Sequence, residues 1–512
     1  MRSLHFLFGD QLMKDHPFLV DFDPEQHRLA MAEVVDAASI PKAHKKKIVL
    51  FFSAMRHFKQ ACFQQEIDIE YIQLHKKDRC MSFSEALDRF WTDEAFKTLR
   101  VMQPGDVAVE NEFRAWCCKH GVTLEIVPDP HFYTTPEDFS SFSKGRKSIR
   151  MEYFYRNLRK KYKILMDKEG QPIGGQWNFD HDNRKSFGKQ GPPEIPPIKG
   201  FEPDKITLQV MEDVDVNFSH HPGTVKGFDY PVTPQQAEIA LEDFINTRLV
   251  NYGRYQDAMA TGHTFLFHGR LSSSLNLHLL NPRICVQKAE EAMIAGAPLN
   301  AVEGFIRQIL GWREYVRGIY FQMMPSYEQL NALDAEEDVP ASLWGKGSTM
   351  KCIDESMHHV MEHAYTHHIE RLMVLGLYAM LLGVHPQKLH IWHMALFADA
   401  IDWVSMPNVM GMSQYADNGY LASKPYCASG AYINRMSDYC RQCQYDPSQA
   451  LGPKACPMTT LYWRFLAKHK ERFANNPRMT MQLKNLDRKS VTELDAIMTL
   501  GDQWVLKERQ NL

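Results

Sequence analysis

The hydrophobic pattern of this chain changes its period along the sequence, and that change constrains the fold more than any other feature. Residues 1–135 alternate short apolar runs with helix-like stretches such as Ser82–Arg100. We interpret four apolar runs as strands: Leu4–Phe8, Lys47–Ser53, Val107–Val109 and Val122–Val127. Alternating strands and helices predict an α/β domain with a parallel, Rossmann-like sheet.

From residue 233 to residue 512 the helical period dominates, and strand-like alternation is nearly absent. Helices are predicted for Pro234–Arg248, Pro298–Tyr320, Ser356–Leu382, His385–Leu396 and Thr459–Phe473. The pattern therefore predicts a large all-α C-terminal domain.

Residues 136–232 join these two regions. Lys144–Lys163 contains nine Lys or Arg residues and one acid, Glu152, with aromatic side chains interleaved. We interpret this stretch either as a solvated helix face or as a surface that contacts phosphates. Lys168–Val232 is rich in Gly and Pro, which predicts a long interdomain linker, and its aromatic Gln176–Asp182 segment is expected to be ordered.

The charges of the whole chain nearly balance, with 59 Lys and Arg against 62 Asp and Glu. This excludes a uniformly basic protein, so a nucleic-acid surface would have to be a local patch. The longest apolar run, Leu372–Val384, is too short to span a bilayer and predicts a buried helix. Because no signal peptide is recognisable, we expect a cytoplasmic protein that does not enter a membrane. We also expect a monomer.

The ten cysteines are unevenly distributed, and three of them share one short segment. Cys440 and Cys443 form a C-x2-C pair, and Cys456 follows after twelve residues and precedes a proline. A fourth thiolate would come from Cys352, with Cys427 as its rival. The spacing suits zinc or an iron–sulfur cluster, and the Cys-Pro pair slightly favours the cluster. Ordinary buried cysteines are the weaker alternative.

Two segments of the sheet domain are candidate binding sites. In parallel sheets, ligands bind at the carboxyl ends of the strands. Phe8–Gln11 and Ser53–His57 occupy such positions if the strand interpretation holds. The chain has neither a G-x-G-x-x-G motif nor a Walker loop, so neither a dinucleotide nor a triphosphate is indicated.

The helical half carries several polar segments. His263–His278 contains a Gly/Ser turn that opens a helix, which suits a phosphate but equally an ordinary helix cap. Glu303–Glu314 places Arg307, Gln308, Trp312 and Arg313 on one helix. Buried Arg and Asp side chains need partners, and we predict that Arg371 pairs with Asp402.

Taken together, these segments resemble the flavin domain of the photolyase/cryptochrome superfamily. The residues that carry the resemblance are Leu271-Ser272 with Leu275, Glu303 with Arg307-Gln308 and Trp312-Arg313-Glu314, His367-His368 with Arg371, and Asp402 with Asn408. The four cysteines and the Phe8–Leu12 and Phe52–His57 segments look like the bacterial iron–sulfur branch of that superfamily, the prokaryotic (6-4) photolyases and related cryptochromes. The similarity covers essentially the whole chain.

The resemblance implies an FAD site in the helical domain. Its members would be Arg254, His268, Arg270, Leu271, Ser272, Leu275, Gln308, Trp312, Arg371, Asp399, Asp402 and Asn408. In the family, the Ser/Thr loop holds the FAD phosphates, an Arg–Asp pair lies beside the isoalloxazine, and the Asn faces flavin N5.

The resemblance also implies further groups. Cys352, Cys440, Cys443 and Cys456 would hold a 4Fe–4S cluster rather than zinc. The antenna pigment of this branch is 6,7-dimethyl-8-ribityllumazine, for which the implied contacts are Phe8, Gly9, Asp10, Gln11, Leu12, Glu33, Ser53, Met55, Arg56 and His57. Trp344 and Trp392 resemble the relay that carries electrons to FAD, and His393 stands where the branch often has Tyr.

The implied activity is blue-light repair of (6-4) photoproducts in UV-damaged DNA. The lesion would be flipped out of the duplex, and repair would need an electron and a proton. His368 would donate the proton and His367 would support it, because imidazole changes charge near neutral pH. Eukaryotic relatives carry another histidine four residues after the first, where this chain has Leu372.

The linker acids Asp180 and Asp182 suggest a divalent cation. We expect them to lie over the DNA-binding face, where carboxylates near phosphates are unfavourable unless a cation intervenes. The hypothesis is a dependence of repair on Mg²⁺.

Two other functions compete with repair. A cryptochrome-like photoreceptor would use the same cofactors for signalling, although the His367-His368 pair and the basic stretch favour repair. A primase-like module that binds DNA or RNA would use the cluster only structurally, and the flavin motifs argue against it.

Overall fold

The N-terminal region is built on a parallel sheet. The structure is a computed structural model that describes residues 2–75, 78–92, 95–146 and 149–510. Its strands are β1 (Ser3–Phe6), β2 (His27–Ala32), β3 (Ile69–Ile72), β4 (Thr98–Met102) and β5 (Thr123–Val127). They lie in the order β3-β2-β1-β4-β5, and every neighbouring pair is parallel. The predicted α/β class is confirmed.

Helices cover this sheet, and two of them correct our strand predictions. The helices of this region are Pro17–Val20, Val35–Ser39, Lys45–Phe63, Phe83–Phe90 and Val107–His120. Lys47–Ser53 was wrongly interpreted as a strand, because a short apolar run does not distinguish a strand from a buried helix. Val107–Val109 is the first turn of a helix, where the Asp106 side chain accepts a hydrogen bond from the backbone N–H of Ala108 at 2.7 Å.

The connecting region is more ordered than a spacer. It contains the helices Pro136–Ser143, Met151–Tyr162 and Lys205–Asn217 and the short 3₁₀ turns Ile173–Gly175 and Asp180–Asn183. The basic stretch forms Met151–Tyr162, and its Lys147 lies outside the described residues. One of its cations, Arg159, is buried and donates to the carbonyl oxygens of Leu165 and Trp177 at 2.6 and 2.8 Å.

The C-terminal half is helical, as predicted. Its α-helices are Pro234–Thr247, Leu249–Tyr255, Ser272–Asn276, Pro282–Ile294, Leu299–Ile306, Glu314–Met323, Lys351–His363, His368–Glu370, Leu377–Leu382, Pro386–Leu396, Asp402–Met406, Gly430–Met436, Pro457–Lys468, Lys470–Phe473, Thr480–Leu486 and Val491–Gln510. Its 3₁₀ turns are Ser326–Gln329, Ala341–Trp344 and Tyr439–Gln442. No helix among the described residues is both long and apolar enough to cross a membrane.

Three stretches of this half are π-helical: Arg307–Arg313, Arg371–Gly376 and Pro407–Ser413. Each stretch carries residues of the predicted flavin site, and π-helical turns are frequent at functional sites. Two of them meet closely, because a Cβ added to Gly376 would lie 2.2 Å from the Oγ of Ser413. The helical period of the sequence did not reveal these wide turns.

The two regions contact each other at the carboxyl end of the sheet. The backbone N–H of Val107 donates to the hydroxyl of Tyr320 at 2.9 Å, and the N–H of Trp403 donates to the carbonyl of Gly105 at 3.2 Å. The N–H of Leu12 donates to the carbonyl of Leu277 at 3.0 Å. The sheet edge is therefore held against the helices that carry the polar motifs.

Candidate functional site

The four predicted cysteine ligands line one cavity of roughly 300 Å³, counted with its open mouth. Cys352 lies at the start of Lys351–His363, and Cys456 caps the start of Pro457–Lys468. Cys440 and Cys443 come from the turn between them. Among the residues described, the lining includes Cys352 and not its rival Cys427.

The thiols of this cavity are close enough to influence one another. Burial raises the pKa of Cys352 well above its usual value, and the neighbouring cysteines raise it further. Burial and the same neighbours raise the pKa of Cys440 to about 12. Free thiolates would therefore be unfavourable here, whereas metal ions stabilise them. Four converging sulfur donors fit either zinc or an iron–sulfur cluster.

Arg371 has a different partner from the one predicted. Its guanidinium donates to Asp399 at 2.9 Å, and the Ser272 hydroxyl donates to the other oxygen of that carboxylate at 2.6 Å. Asp402 instead accepts hydrogen bonds from the Tyr320 hydroxyl and from His390, the latter at 2.8 Å. The predicted Arg371–Asp402 pair is wrong, since the loop after Pro386–Leu396 presents Asp399 to Arg371 first.

This ion pair sets the charge of Asp399. Burial by itself would raise the pKa of Asp399, but the Arg371 guanidinium and the Ser272 hydroxyl hold it below the usual value. The carboxylate is therefore charged near neutral pH. It joins the segment at Ser272 to the π-helical segment at Arg371, so two of the predicted flavin-binding segments form one polar network.

The other predicted flavin-site residues occupy several environments. Arg270 pairs with Asp229 at 2.6 Å and lies 4.4 Å from the ring centroid of Tyr230. Asn408 donates to the carbonyl of Val404 at 2.7 Å, and Gln308 donates to that of Gly304 at 3.3 Å.

Four of the remaining flavin-site residues pack on apolar or aromatic neighbours. Leu271 and Leu275 are buried in the core, with Trp312 packed against it. Arg254 lies over the ring of Tyr255.

The predicted catalytic histidines lie where the chain breaks between two helices. His367 is buried, and its ring stacks on His268 with centroids 4.7 Å apart and planes at 10°. Burial, together with the rings of His268 and His368, lowers the pKa of His367 well below its usual value. His368 is 52% exposed, and its Nε2 lies 3.5 Å from a carboxylate oxygen of Asp257. His367 is therefore neutral, while the His368 ring is accessible to solvent.

Sequence reasoning missed two acids beside these histidines, Asp257 and Glu370. Glu370 is fully buried and accepts hydrogen bonds from the Tyr439 hydroxyl and from Nδ1 of His359, the latter at 3.2 Å. Its other contact is Nε2 of His367, at 3.9 Å. Because Tyr439 precedes Cys440, this carboxylate links the cysteine loop to the histidines. The only signal in the sequence was an acid inside the His-His-x-x-Arg segment.

The predicted antenna residues fall into an apolar group and a polar group. Phe8 packs on Phe83 and Phe113 with ring centroids 5.8 and 5.1 Å apart. Gly9 lies against Met55, since an added Cβ would be 2.8 Å from its sulfur.

Two of the polar antenna candidates, Glu33 and Arg56, bond to each other. Buried Glu33 accepts hydrogen bonds from Arg56 at 2.7 and 2.9 Å, from Tyr71 at 2.6 Å and from the N–H of Leu74 at 2.7 Å. His57 lies 3.3 Å from Asp204.

The other polar candidates of this region lie near the sheet edge. Burial raises the pKa of Asp10 to about 7. Gln11 donates to the carbonyl of Gln103 at 2.9 Å, and the Ser53 hydroxyl is buried without a partner among the described residues. The prediction that the second candidate segment ends a strand is wrong, because the helix Lys45–Phe63 contains Ser53, Met55, Arg56 and His57.

The two predicted relay tryptophans differ in exposure. Trp392 is buried, and its indole N–H donates at 2.6 Å to the carbonyl of Leu343, the residue before Trp344. Trp344 itself is 39% exposed. His393 stacks on Phe397 at 4.3 Å, and the Arg371 guanidinium lies over the same ring at 4.3 Å. The Trp392 ring lies 5.6 Å from the same Phe397 ring, so Trp392 connects the segment at Trp344 to the Arg371 network.

The linker acids are already partly neutralised. Asp180 accepts from Arg184 and from Arg307, the latter at 3.2 Å. Burial would raise the pKa of Asp180, and the two guanidinium groups lower it below the usual value. Asp182 is exposed beside His181. A cation would therefore meet Asp182 more freely than Asp180.

Comparisons with known proteins agree with this arrangement. Residues 5–230 match the family model described as deoxyribodipyrimidine photo-lyase-related protein. The chain is 41% identical over 482 residues to the (6-4) photolyase of Agrobacterium fabrum (strain C58), and the alignment covers 94% of each protein.

Two solved structures share the fold. A bacterial class III photolyase from Agrobacterium tumefaciens superimposes with a TM-score of 0.59 at 15% identity, over 92% of this chain and 97% of its own. A cryptochrome from Synechocystis sp. PCC6803 superimposes with a TM-score of 0.54 at 13% identity, over 85% and 88%. The predicted resemblance is confirmed: the chain belongs to the photolyase/cryptochrome superfamily, in the bacterial group that includes this (6-4) photolyase.

Proposed function

We propose that this protein is an FAD-dependent DNA photolyase that repairs (6-4) photoproducts in UV-damaged DNA under blue light. The observation that carries the proposal is the 41% identity to a (6-4) photolyase along nearly the whole chain. That relationship argues against the primase-like alternative, because it spans the flavin motifs as well as the cysteines.

The helical half fits an FAD molecule. The buried hydroxyls of Ser273, Ser274 and Thr366 have no hydrogen-bond partner among the described residues. Buried polar atoms are normally paired, so these groups suit a polar ligand. Ser272, Arg371 and Asp399 would hold the cofactor with the other residues of the predicted site. When bound, reduced and excited by blue light, FAD supplies the electron for repair.

The histidine pair would supply the proton. A (6-4) lesion is a covalent pyrimidine dimer that has to be flipped into a pocket, at a cost of about a few kcal/mol. His368 is solvent-accessible and lies next to Asp257, so it can hold a proton beside an inserted lesion. His367 would support that ring from its buried position, where Glu370 lies 3.9 Å from its Nε2.

We further propose a 4Fe–4S cluster, rather than zinc, on the four cysteines of the shared cavity. Chemical analysis should find about four iron and four sulfide ions per chain. One bound zinc ion instead would contradict the cluster. The cluster's neighbour Tyr439 would couple it mechanically to Glu370.

The remaining parts of the proposal concern light capture and electron supply. 6,7-Dimethyl-8-ribityllumazine would bind near the Phe8–Leu12 segment and the helix that carries Met55 and Arg56. Trp344 and Trp392 would pass electrons to FAD. Trp392→Phe should slow photoreduction of FAD without lowering FAD content, and Trp463→Phe, outside this path, should leave it unchanged.

Mg²⁺ would bind near the linker acids, with Asp182 the more accessible ligand. Repair at saturating DNA should then fall when EDTA removes the cation, and rates unchanged by EDTA would contradict this part. We also propose that the protein is a cytoplasmic monomer. Its antenna domain would be residues 1–135, its basic helix and linker residues 136–232, and its FAD and cluster domain residues 233–512.

One experiment tests the main proposal. The reduced, FAD-loaded protein is illuminated with an oligonucleotide that carries one (6-4) lesion, and a cyclobutane-dimer oligonucleotide serves as control. Repair of the first substrate alone supports the proposal. No repair of either substrate would favour the cryptochrome-like photoreceptor. His368→Ala should abolish repair while flavin photoreduction persists, and full repair by this variant would remove His368 as the proton donor.

A further inference from the structure

Three histidines from two segments converge beside the proposed lesion pocket. His268, His367 and His368 each place one ring nitrogen so that the three atoms lie within 4.8 Å of one another. His268 and His367 are buried, whereas His368 is half exposed and opens the cluster to solvent. Three converging imidazole nitrogens can coordinate a metal ion as well as donate a proton.

Each ring has an oxygen atom near one of its nitrogens. The ring of His268 donates to the backbone carbonyl of Gln256, which leaves its Nε2 without a partner. Glu370 lies 3.9 Å from Nε2 of His367, and Asp257 lies 3.5 Å from Nε2 of His368. Metal-binding histidines characteristically donate their second nitrogen to a carboxylate or a backbone carbonyl, and that acceptor orients the ring.

The charges around the cluster permit a cation. Asp257 and Glu370 are acidic, and Arg371 is the opposing positive charge. Arg371 is itself paired with Asp399 at 2.9 Å, which reduces its repulsion of a nearby ion. His359 also faces Glu370, at 3.2 Å.

One ring has to turn to complete the site. The ring planes of His268 and His367 are stacked at 10°, so their in-plane lone pairs lie in two nearly parallel planes and do not converge on one point. Neither ring nitrogen of His367 has a hydrogen-bond partner among the described residues, so rotation about its side-chain bonds sacrifices no hydrogen bond. Such rotation would bring three nitrogens to one ion and leave a fourth position open, as in three-ligand zinc sites.

We propose that His268, His367 and His368 form a binding site for a divalent transition-metal ion of the zinc class. Imidazole ligands favour zinc, copper and nickel, while Mg²⁺ prefers oxygen, so this site differs from the proposed magnesium site in the linker. Resting on the proposed function, a further consequence is that the bound ion inhibits repair, because it occupies the ring that has to donate a proton.

Binding is tested in the dark on the FAD-loaded, iron-replete protein. Co²⁺ is the spectroscopic probe, Zn²⁺ displaces it, and a large excess of Mg²⁺ is the competitor. We expect one Co²⁺ per chain with a visible d–d absorption, lost on addition of Zn²⁺ and unaffected by Mg²⁺. Absence of saturable binding, or equal displacement by Mg²⁺, would overturn the proposal.

Variants then locate the ion. His268→Gln should weaken binding by at least ~10-fold, and Asp257→Asn, which removes only a supporting carboxylate, by roughly 10-fold. His263→Gln, an exposed histidine outside the cluster, is the matched control and should bind normally. If His268→Gln fails to retain FAD, Asp257→Asn decides. Unchanged affinity in Asp257→Asn and in every folded ligand variant would refute the site.

The inhibitory consequence is measured separately. Saturating Zn²⁺ should slow (6-4) repair by at least ~10-fold, and a zinc-selective chelator that leaves Mg²⁺ bound should restore it, while iron content and FAD photoreduction stay unchanged. Repair that is insensitive to Zn²⁺ at full occupancy would remove the inhibitory role. Absence of repair by the metal-free protein would instead contradict the proposed function, and the Co²⁺ titration would still decide the site.

Discussion

The cysteine cavity and the edge of the sheet are two candidate sites that the sequence indicated by different kinds of signal. Every predicted cysteine ligand lines one cavity. At the sheet edge, the predicted residues are divided between an aromatic core around Phe8 and a buried Glu33–Arg56 pair. The thiols face a shared space, whereas Glu33 and Arg56 mostly satisfy each other.

The difference lies in what each prediction depends on. Thiols at C-x2-C spacing have a chemistry of their own, so the prediction survives errors in secondary structure. The strand-end rule requires the elements to be assigned correctly, and the Ser53–His57 segment turned out to be helical. A site predicted from the chemistry of its side chains is therefore more reliable than a site predicted from its position at an assigned strand end.

The largest expected effect is the loss of a cysteine ligand. Cys443→Ser should eliminate bound iron and much of the folded, soluble protein, because metal binding at such a site contributes directly to folding free energy. Iron and sulfide analysis with circular dichroism measures both. Cys427→Ser, a cysteine outside the cavity lining, is the control. Full iron content in Cys443→Ser would show that Cys443 is not a cluster ligand, and the cysteine prediction would then be no more reliable than the prediction at the sheet edge.

The buried pair at the sheet edge should give the next largest effect. Glu33→Ala leaves the buried Arg56 with only its 2.8 Å contact to Asp213, which should cost about 3 kcal/mol of unfolding free energy. Urea denaturation measures the loss. Glu70→Ala breaks the more exposed 2.7 Å pair with Arg28 and should cost less than about 1 kcal/mol. Equal losses would mean that the Glu33 pair is not a structural anchor.

Arg371 extends the comparison into the helical half. Arg371→Ala leaves the buried Asp399 carboxylate with only its Ser272 hydrogen bond, so we expect a loss of about 2 kcal/mol together with weaker FAD retention. Denaturant titration and the flavin absorbance of the purified protein are the measurements. Arg472→Ala breaks an exposed pair with Asp334 and should change neither. Normal flavin content in Arg371→Ala would show that the Arg371–Asp399 pair does not help to hold FAD.

The smallest effect belongs to the contact between the two regions. Burial, and then Asp402, raises the pKa of Asp106 to about 6 from an ordinary value of 3.8. The folded state thus retains a proton that the unfolded state releases, so this group's contribution to stability falls as pH rises from about 4 to about 6.

Asp106→Asn retains an acceptor for the Ala108 N–H and removes this charge. It should stabilise the protein by about 1 kcal/mol above pH 6 and leave it unchanged below pH 4. Urea unfolding across this range measures the slope, and Asp21→Asn at an exposed position is the control. Stabilisation that appears only below pH 4 would reverse the sign of the argument.

The sequence predicted the fold class and most of the cysteine site, but less of the flavin network. Period changes were sufficient for the parallel sheet and the helical half. They did not reveal that Asp399 rather than Asp402 meets Arg371, since three residues of loop decide which carboxylate arrives. Glu370 and Asp257 were missed for a related reason: single acids have no spacing signature, and only their burial and contacts distinguish them.

The three π-helical stretches restrict which changes of length this chain can accept. An α-helix turns by about 100° per residue, so removing one residue from a wide turn would restore regular geometry and rotate everything beyond it. A deletion inside Arg371–Gly376 would swing Leu377–Leu382 away from its packing while every side chain kept its identity. The number of residues in these stretches is therefore as strongly constrained as their side chains, because a deletion there would reorient the helix that follows.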